Sequence, residues 1–494
     1  MRSTPSPASQ PLLKVNMQDC RNYIQSSIVI ALMLFFRFIP PFGGLTTTGV
    51  TIIGIFLGLL YGYCTVGFIW PSLLALLCFG TSGYCSVTEA FTAGFGHSTT
   101  ILVFLLFVFS ALINAAGVGH AIAVWFLSRR SAAGRPWLLS FYILLATFVI
   151  QPFVSIYMTI LLMWNIFYSI ALEFGFKKGD KYPALILIGI VFASACSMEA
   201  IPWNPLAVLI SGNMQKLSGI TINFLPYFLL IACLSLIALI LYILICKYII
   251  RPDISPLFSY NDQYVSTLEH HKLTTYQKLI IALLGLMVLL MFLPSLLPVT
   301  WPLCQLLKTL GTVGSVAVCL VISSILTFQG QSLVDFKTLV FQGVQWNVVI
   351  MFTAVLPIAA SFGSPETGIT TLLVNLLSPV LGNVSPLMFS ILTIFFALTI
   401  TQFTNNMVCA IVLVPIIHSF SVAIGINAAI LAVLLVPALS TALVTPAGSG
   451  SASLIHGNQE WIGSKYAYQY TLIIYAVMLV VLILIGLPLA SFIF

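Results

Sequence analysis

The chain has 494 residues, of which 60% are apolar and only 6% carry a formal charge, against the roughly 25% charged residues of a soluble globular domain. A soluble fold is thereby excluded: from Phe38 to Ser128 the only formal charge is Glu89, and from Thr338 to Gln459 it is Glu366. The net charge of +7 reads as topology before it reads as a ligand preference, because basic residues gather on the cytoplasmic side of membrane proteins.

In chain order, residues 1–24 are polar, include Lys14 and Arg21, and lead into the first apolar block without a small-residue cleavage site, which predicts an uncleaved cytoplasmic tail. Apolar blocks follow at 25–39, 46–63, 66–80 and 98–117. The next two, 137–150 and 155–172, are separated by Gln151-Pro152. The first arm reaches only ~21 Å at ~1.5 Å per residue, short of a ~30 Å hydrocarbon core. Residues 137–172 are therefore predicted as a re-entrant helical hairpin, tolerated where protein or water lines its tip. A block at 182–212, broken in its middle, and one at 224–250 complete the first repeat region, 25–250, and 251–277 reads as a cytoplasmic linker. The second region, 278–494, holds blocks at 278–297, 309–327 and 345–362, a hairpin at 387–420, a broken block at 425–455 and a last span at 468–494.

The expected fold class is an all-α polytopic membrane protein with about eleven transmembrane helices and two re-entrant hairpins. With the N-terminus cytoplasmic and the C-terminus outside, Arg2, Lys14, Arg21, Arg129, Arg130, Arg135, Lys177, Lys178, Lys181, Lys247, Arg251, Lys272, Lys278, Lys337 and Lys465 face the cytoplasm. Only Arg37, Lys216 and Lys308 fall outside, a split of 15 to 3 that supports this orientation in the cytoplasmic (inner) membrane.

The chain also carries an internal repeat. Gln151-Pro-Phe-Val-Ser-Ile-Tyr-Met aligns with Gln402-Phe-Thr-Asn-Asn-Met-Val-Cys, and Leu209-Ile-Ser-Gly-Asn213 with Leu454-Ile-His-Gly-Asn458. Each half has a hairpin followed by a broken span, and the topology above inverts one half relative to the other. Inverted repeats with broken helices point to a secondary transporter whose site lies near the midplane. The breaks collect the polar residues: Gln151-Pro152 with Ser155, Ser194-Ala-Cys-Ser-Met-Glu-Ala-Ile-Pro-Trp-Asn-Pro205, Thr401-Gln-Phe-Thr-Asn-Asn406 and Ser440-Thr-Ala-Leu-Val-Thr-Pro-Ala-Gly-Ser-Gly-Ser451. Half-helix N-termini there suit an anion, and freed carbonyls suit a small cation such as sodium.

At these residues the chain resembles the divalent anion:sodium symporter family (solute carrier family 13) of the ion transporter superfamily. Thr445-Pro-Ala-Gly-Ser-Gly-Ser-Ala452 looks like its second broken-helix loop, and Thr404-Asn-Asn-Met407, with Asn405 ten residues before Pro415, like its second hairpin tip. Gly44-Leu-Thr46 and Ala133-Gly-Arg-Pro-Trp137 extend the likeness. Val154-Ser155-Ile156 and Asn405-Asn406-Met407 depart from the family's Ser-Asn-Thr tips, and the first loop reads Ala200-Ile-Pro-Trp-Asn-Pro205, so some polar substrate contacts become apolar. The resemblance implies one sodium site on Ser155 and carbonyls near Asn204, and a second on Thr401, Asn405, Asn406 and carbonyls near Ala447. It implies substrate contacts at Asn406, Thr445 and Pro446, with Ser155, Asn204, Asn405 and Ser449 beside them. It further implies a homodimer, an elevator motion, a di- or tricarboxylate substrate, and no cofactor beyond sodium as the coupling ion.

Glu199 is the one acid in a break, and an ionisable group at membrane depth is costly and usually functional. Two readings stand for it: a hydrogen-bonded structural acid at the loop edge, or a protonatable coupling site or contact to a cationic part of the substrate. Asn405-Asn406 has the alternative of capping a half-helix. The six histidines show no metal-ligand spacing, the ten cysteines form no C-x-x-C pair, and Gly448-Ser-Gly-Ser-Ala-Ser453 lacks the Lys-Ser/Thr of a phosphate-binding loop. No metal other than sodium, no nucleotide and no nucleic acid is expected as a partner; membrane lipid and a small anion are. A polytopic enzyme would need H-E-x-x-H, G-x-S-x-G or a paired intramembrane acid, none of which occurs. The leading function is sodium-coupled symport of a small anion, with a proton-coupled or exchange carrier of another anionic or zwitterionic solute as the alternative.

Overall fold

The computed structural model of the chain describes residues 17–127, 134–153, 156–219, 221–259, 274–298, 300–328, 331–332, 336–369, 371–372, 375, 384–446 and 448–494. The first half is built from α1 (Met17–Phe35), α2 (Thr47–Thr65), α3 (Ile69–Gly80), α4 (Val87–Phe95), α5 (Ser98–Ala115), α6 (Val118–Leu127), α7 (Pro136–Ile150), α8 (Ile156–Glu173), α9 (Lys181–Ala200), α10 (Pro205–Ser218) and α11 (Phe224–Ile245). After a short 3-10 turn at Ser255–Ser259 come α12 (Thr275–Leu296), α13 (Pro302–Ile325), α14 (Phe336–Gly343), α15 (Trp346–Ser361), α16 (Pro386–Ile400), α17 (Asn406–Ile424), α18 (Ala428–Ser440), α19 (Gly450–Gly457), α20 (Ser464–Val481) and α21 (Leu487–Ile493). Apart from a two-residue antiparallel ladder, Thr327–Phe328 with Gln331–Ser332, the described residues form no sheet.

Seven of the described helical segments are long and apolar enough to cross a bilayer, or eight if the bent pair α4–α5 is one span. Reaching eleven crossings requires shorter apolar helices such as α3 and α15 to be counted too. Large apolar side chains face outward around the periphery, including Leu229 and Ile240 on α11, Leu289 on α12 and Leu472 on α20. In water such a surface would be a liability; against lipid it is the ordinary solution for an integral membrane protein.

Local sequence sets the ends of the elements. Pro136, Pro205 and Pro386 occupy the first turns of α7, α10 and α16, where a missing N–H costs nothing. Pro202 biases its predecessor away from helical torsions, and Ile201 is extended with φ −80° and ψ 114°, so α9 stops at Ala200. Gly219 and Gly425, at φ 70° and 75°, close α10 and α17 in the left-handed region that favours glycine.

The two segments expected as hairpins, 137–172 and 387–420, are each two helices joined at a short break, α7 with α8 and α16 with α17. The start of α7 and the segment after α8 meet at Tyr182, whose hydroxyl lies 2.9 Å from Ser140 Oγ and whose ring stacks on Phe176. Phe389 near the start of α16 packs on Phe420 near the end of α17, with ring centroids 5.7 Å apart. The centre of the molecule is occupied by the two broken helices. From Tyr182 to Ala200 every residue but Met198 is buried, as is every residue of α18 except Ile430 and Ser440. Helices that are apolar all round belong in such a core. The two run in opposite directions: Glu199 near the end of α9 meets Thr441 just past α18. At the far end, Lys178 before α9 pairs with Glu460 after α19, and Tyr168 stacks on Trp461.

The short helices α4, α6 and α14 are additions to the sequence expectation, which found no apolar block there. The block at 309–327 is longer than expected, starting at Pro302, and it is interrupted at Gly311, whose φ of 61° breaks the helical path.

Candidate functional site

The site is assembled where the two broken helices and the two hairpin tips converge. Glu199 is completely buried, and its Oε1 accepts a hydrogen bond from Thr441 Oγ1 at 3.2 Å. Its Oε2 has no protein partner among the described residues. Tyr227 of α11 donates to the Glu199 main-chain oxygen at 2.7 Å, which fixes the backbone at the break without engaging the carboxyl. Glu199 lies in the last turn of α9, and its partner from the other repeat is Thr441. Antiparallel crossing, rather than alignment register, decides that pairing.

The second hairpin tip and second broken loop interlock through Gln402. Its Nε2 donates to Leu398 O at 2.8 Å and to Thr441 O at 2.9 Å, its Oε1 accepts from Val444 N at 2.9 Å, and its main-chain oxygen accepts from the Thr445 hydroxyl. Thr401 Oγ1 donates to Leu439 O at 2.9 Å and lies 3.1 Å from Asn406 Oδ1. Gly448 comes so close that a Cβ there would sit 3.0 Å from Gln402 O and 3.1 Å from Thr401 O. Hydroxyl, amide and carbonyl oxygens from the tip and loop thus gather in one cradle, a donor set suited to a hard cation.

A cavity of about 250 Å³ lies at the breaks and reaches the second hairpin at Met407. One wall is made by the breaks: Gln151, Pro152 and Ile156 from the first hairpin, Met198, Ile201, Trp203, Asn204 and Pro205 from the first broken helix, and Met407 at the start of α17. The rest of the lining comes from α5 (Phe107, Ser110), α12 (Leu284, Met287), Gln345 at the start of α15 and Val348 within it.

The residues singled out from sequence are brought together unevenly. Thr401 and Asn406 meet in the oxygen cradle, with Thr445 one hydrogen bond away through Gln402. Asn405 caps α17 through Met407 N at 2.9 Å, so its side chain is taken up by the capping alternative. Asn204 likewise caps α10, accepting from Leu206 N at 3.0 Å and donating to Met198 O at 2.8 Å, and also lines the cavity. Ser449 caps α19 through Ala452 N at 3.0 Å and donates to Ala442 O at 2.7 Å. Pro446 accepts from Ser453 Oγ at 2.8 Å. Ser155 and Ala447 lie outside the described residues, so the expected first sodium site is represented by Asn204 alone.

Three contributors escaped sequence reasoning: Thr441, Gln402 as the hub, and the cavity wall from α5 and Gln345. A signal existed for one of them. Gln151 and Gln402 are aligned in the repeat, and both occupy the turn after a short apolar arm.

A lipid-facing helical shell surrounds two antiparallel broken helices, with a cavity and an oxygen cradle at their breaks, and the proteins this chain is similar to are membrane transporters. The citrate transporter family (CitMHS) matches residues 52–438. The chain belongs to this family, within the ion transporter superfamily. Its fold is similar to that of the YdaH transporter of Alcanivorax borkumensis, described as having an unusual topology, with a TM-score of 0.57 and 14% identity over 82% of this chain and 87% of that one. It is also similar to MtrF of Neisseria gonorrhoeae, described as illuminating a class of antimetabolite efflux pumps, with a TM-score of 0.56 and 14% identity over 94% and 97% of the respective chains. No curated protein matches the chain in sequence.

Proposed function

We propose that the protein is an ion-coupled secondary transporter that carries a small carboxylate across the cytoplasmic membrane together with sodium. The observation that carries this reading is the cradle at the second hairpin tip, where Asn406 Oδ1 and Leu439 O both lie within hydrogen-bonding distance of Thr401 Oγ1. Thr401, Asn406 and the surrounding carbonyls would hold the sodium ion. The substrate would occupy the cavity between Asn204 and Met407. The family match supports a carboxylate as cargo.

In this reading the hairpins and broken helices form a unit that slides against the remaining helices, in a homodimer with its N-terminus in the cytoplasm and its C-terminus outside. The eleven-crossing topology with re-entrant hairpins belongs to the same proposal, and so does the division into two inverted regions about the 251–277 linker.

A second reading, proton coupling, is favoured by Glu199: its carboxyl is fully buried, and no basic group pairs with it among the described residues. An ionised carboxylate there lacks the compensation that buried charges require. Counterflow and uptake of radiolabelled carboxylates into proteoliposomes decide between the readings. Uptake driven by an inward sodium gradient at symmetric pH supports sodium coupling. Uptake driven by a pH gradient in the absence of sodium replaces sodium coupling with proton coupling, and no uptake under either gradient defeats both.

A further inference from the structure

The crevice that holds the cavity at the breaks continues along the same helices into a second chamber of about 290 Å³. The inner cavity ends at Val103 on α5, Pro205 on α10 and Met287 on α12, and the second chamber begins at Leu102, Val208 and Leu290 of the same three helices. The step from Pro205 to Val208, or from Met287 to Leu290, is only ~4.5 Å of helical rise. In the proposed orientation the second chamber lies on the outer side of the first.

Its residues nearest the breaks, Leu102, Val208 and Leu290, are apolar, whereas Lys308 and Thr312 of α13, Thr99, Gln215 and Asn223 make much of the rest polar. Among the described residues these last five side chains have no hydrogen-bond or ion-pair partner in the protein, and no acid lines the chamber. Asn204 in the inner cavity differs, because its amide is already committed to capping α10. Two helix starts also meet here. Thr312 opens the helical stretch beyond the kink at Gly311, and Phe224 opens α11, whose cap residue Asn223 makes no side-chain cap. Such starts present N–H groups and a positive dipole end to an anion. Charge placement agrees. Lys308 is one of the three basic residues expected outside, and a second, Lys216, adjoins Gln215 and lies within electrostatic range of His97, next to Ser98 of the same wall.

We infer that this outer chamber is a capture site for the cargo: a small carboxylate with two or more negative charges is held by Lys308 and the uncommitted amides and hydroxyls before it passes the collar of Leu102, Val208 and Leu290 into the cavity at the breaks. The inference rests on the carboxylate-transport reading and adds a site to it. Lys308 is exposed, so its charge stays solvated. A cation in a cleft raises the local concentration and arrival rate of anions, and salt weakens the effect.

The test is uptake of radiolabelled citrate into right-side-out proteoliposomes of phosphatidylcholine. Lys308→Ala should raise the KM for external citrate about tenfold with the maximal rate unchanged, Lys308→Glu should raise it further, and Lys308→Arg should keep it. Added potassium chloride should raise the KM of the unaltered protein and leave that of K308A nearly constant. The KM for efflux of internal citrate should not change in K308A. In Lys308→Cys, aminoethyl methanethiosulfonate, which adds a cation, should restore uptake and the sulfonatoethyl reagent should not, with the unaltered protein as the control for its own cysteines. An unchanged KM in folded K308A and K308E, or equal effects of the two reagents on K308C, would overturn the inference. So would a KM that phosphatidylglycerol raises in the unaltered protein and not in K308A, because the chamber would then hold a lipid headgroup. If the unaltered protein takes up citrate and K308A matches it, this inference alone falls; if it carries no carboxylate, the transport reading falls and takes the inference with it.

Discussion

Among the described residues, Glu199 and Thr441 form the one side-chain hydrogen bond directly between the breaks of the two broken helices, so the protonation state of Glu199 bears on both halves at once. Replacing it with glutamine keeps an acceptor for Thr441 and removes only the titration. Glu199→Gln is therefore expected to leave expression and folding intact while flattening the dependence of transport rate on pH across the neutral range; an unaltered pH profile would exclude coupling through this acid. At the cradle, Asn406→Ala removes the oxygen 3.1 Å from Thr401 Oγ1. Loss of one such polar partner costs about 1–3 kcal/mol, and about 1.4 kcal/mol is a tenfold change in affinity. The sodium concentration for half-maximal transport should rise roughly tenfold or more, with maximal expression unchanged. Thr445→Ala, which releases the Gln402 main-chain oxygen from its hydroxyl partner, should slow transport without altering the sodium requirement as much. Sodium titrations of uptake by the two variants separate these effects.

The broken loop and the hairpin tip act as one element, and two glycines in it make opposite demands. A Cβ at Gly448 would press on the main-chain oxygens of Gln402 and Thr401 and on Ala442 Cβ at 3.2 Å, none of which can turn aside. A Cβ at Gly450 would meet the hydroxyl end of Tyr157, a half-exposed side chain able to swing away. Gly448→Ala should thus cut transport severely and lower the melting temperature, while Gly450→Ala should be tolerated; equal effects of the two would show that the tip and loop do not interlock. Much of this element was legible in sequence. The arms were too short to cross, the prolines at 202, 205 and 446 forbade continuous helix, and the polar residues collected in the gaps. What stayed hidden depends on chain crossing. Thr441 pairs with Glu199 because α9 and α18 approach end to end, and the cavity lining on α5 and at Gln345 is remote in sequence from the breaks. Local competition hid the rest: Asn204, Asn405 and Ser449 have the residue types of ligands, but adjacent orphan helix N–H groups claim their side chains first.

At the scale of the whole molecule, the proposed sliding of the hairpin and broken-helix unit requires the second hairpin tip to change its neighbours. One of those neighbours is α2, where Cys64 Sγ lies 3.8 Å from Thr404 Oγ1 at the tip. Cys64 is an exposed free cysteine, accessible to oxidant. Replacing the Thr404 hydroxyl by a thiol places two sulfurs at a separation that a disulfide can close with small side-chain adjustments, given the usual Cα separation of about 4.4–6.8 Å for such bonds. Oxidation of Thr404→Cys with copper phenanthroline should therefore link the tip to α2 and stop transport in proteoliposomes, and dithiothreitol should restore it. Cys409, farther along α17, lies within electrostatic range of Cys64, so the unaltered protein under the same oxidant is the necessary control and should keep its activity. A cross-linked variant that transports at the uncross-linked rate would mean that the tip and α2 travel together. The moving boundary of the transporter would then have to lie elsewhere, because a tip tied to α2 cannot also slide past it.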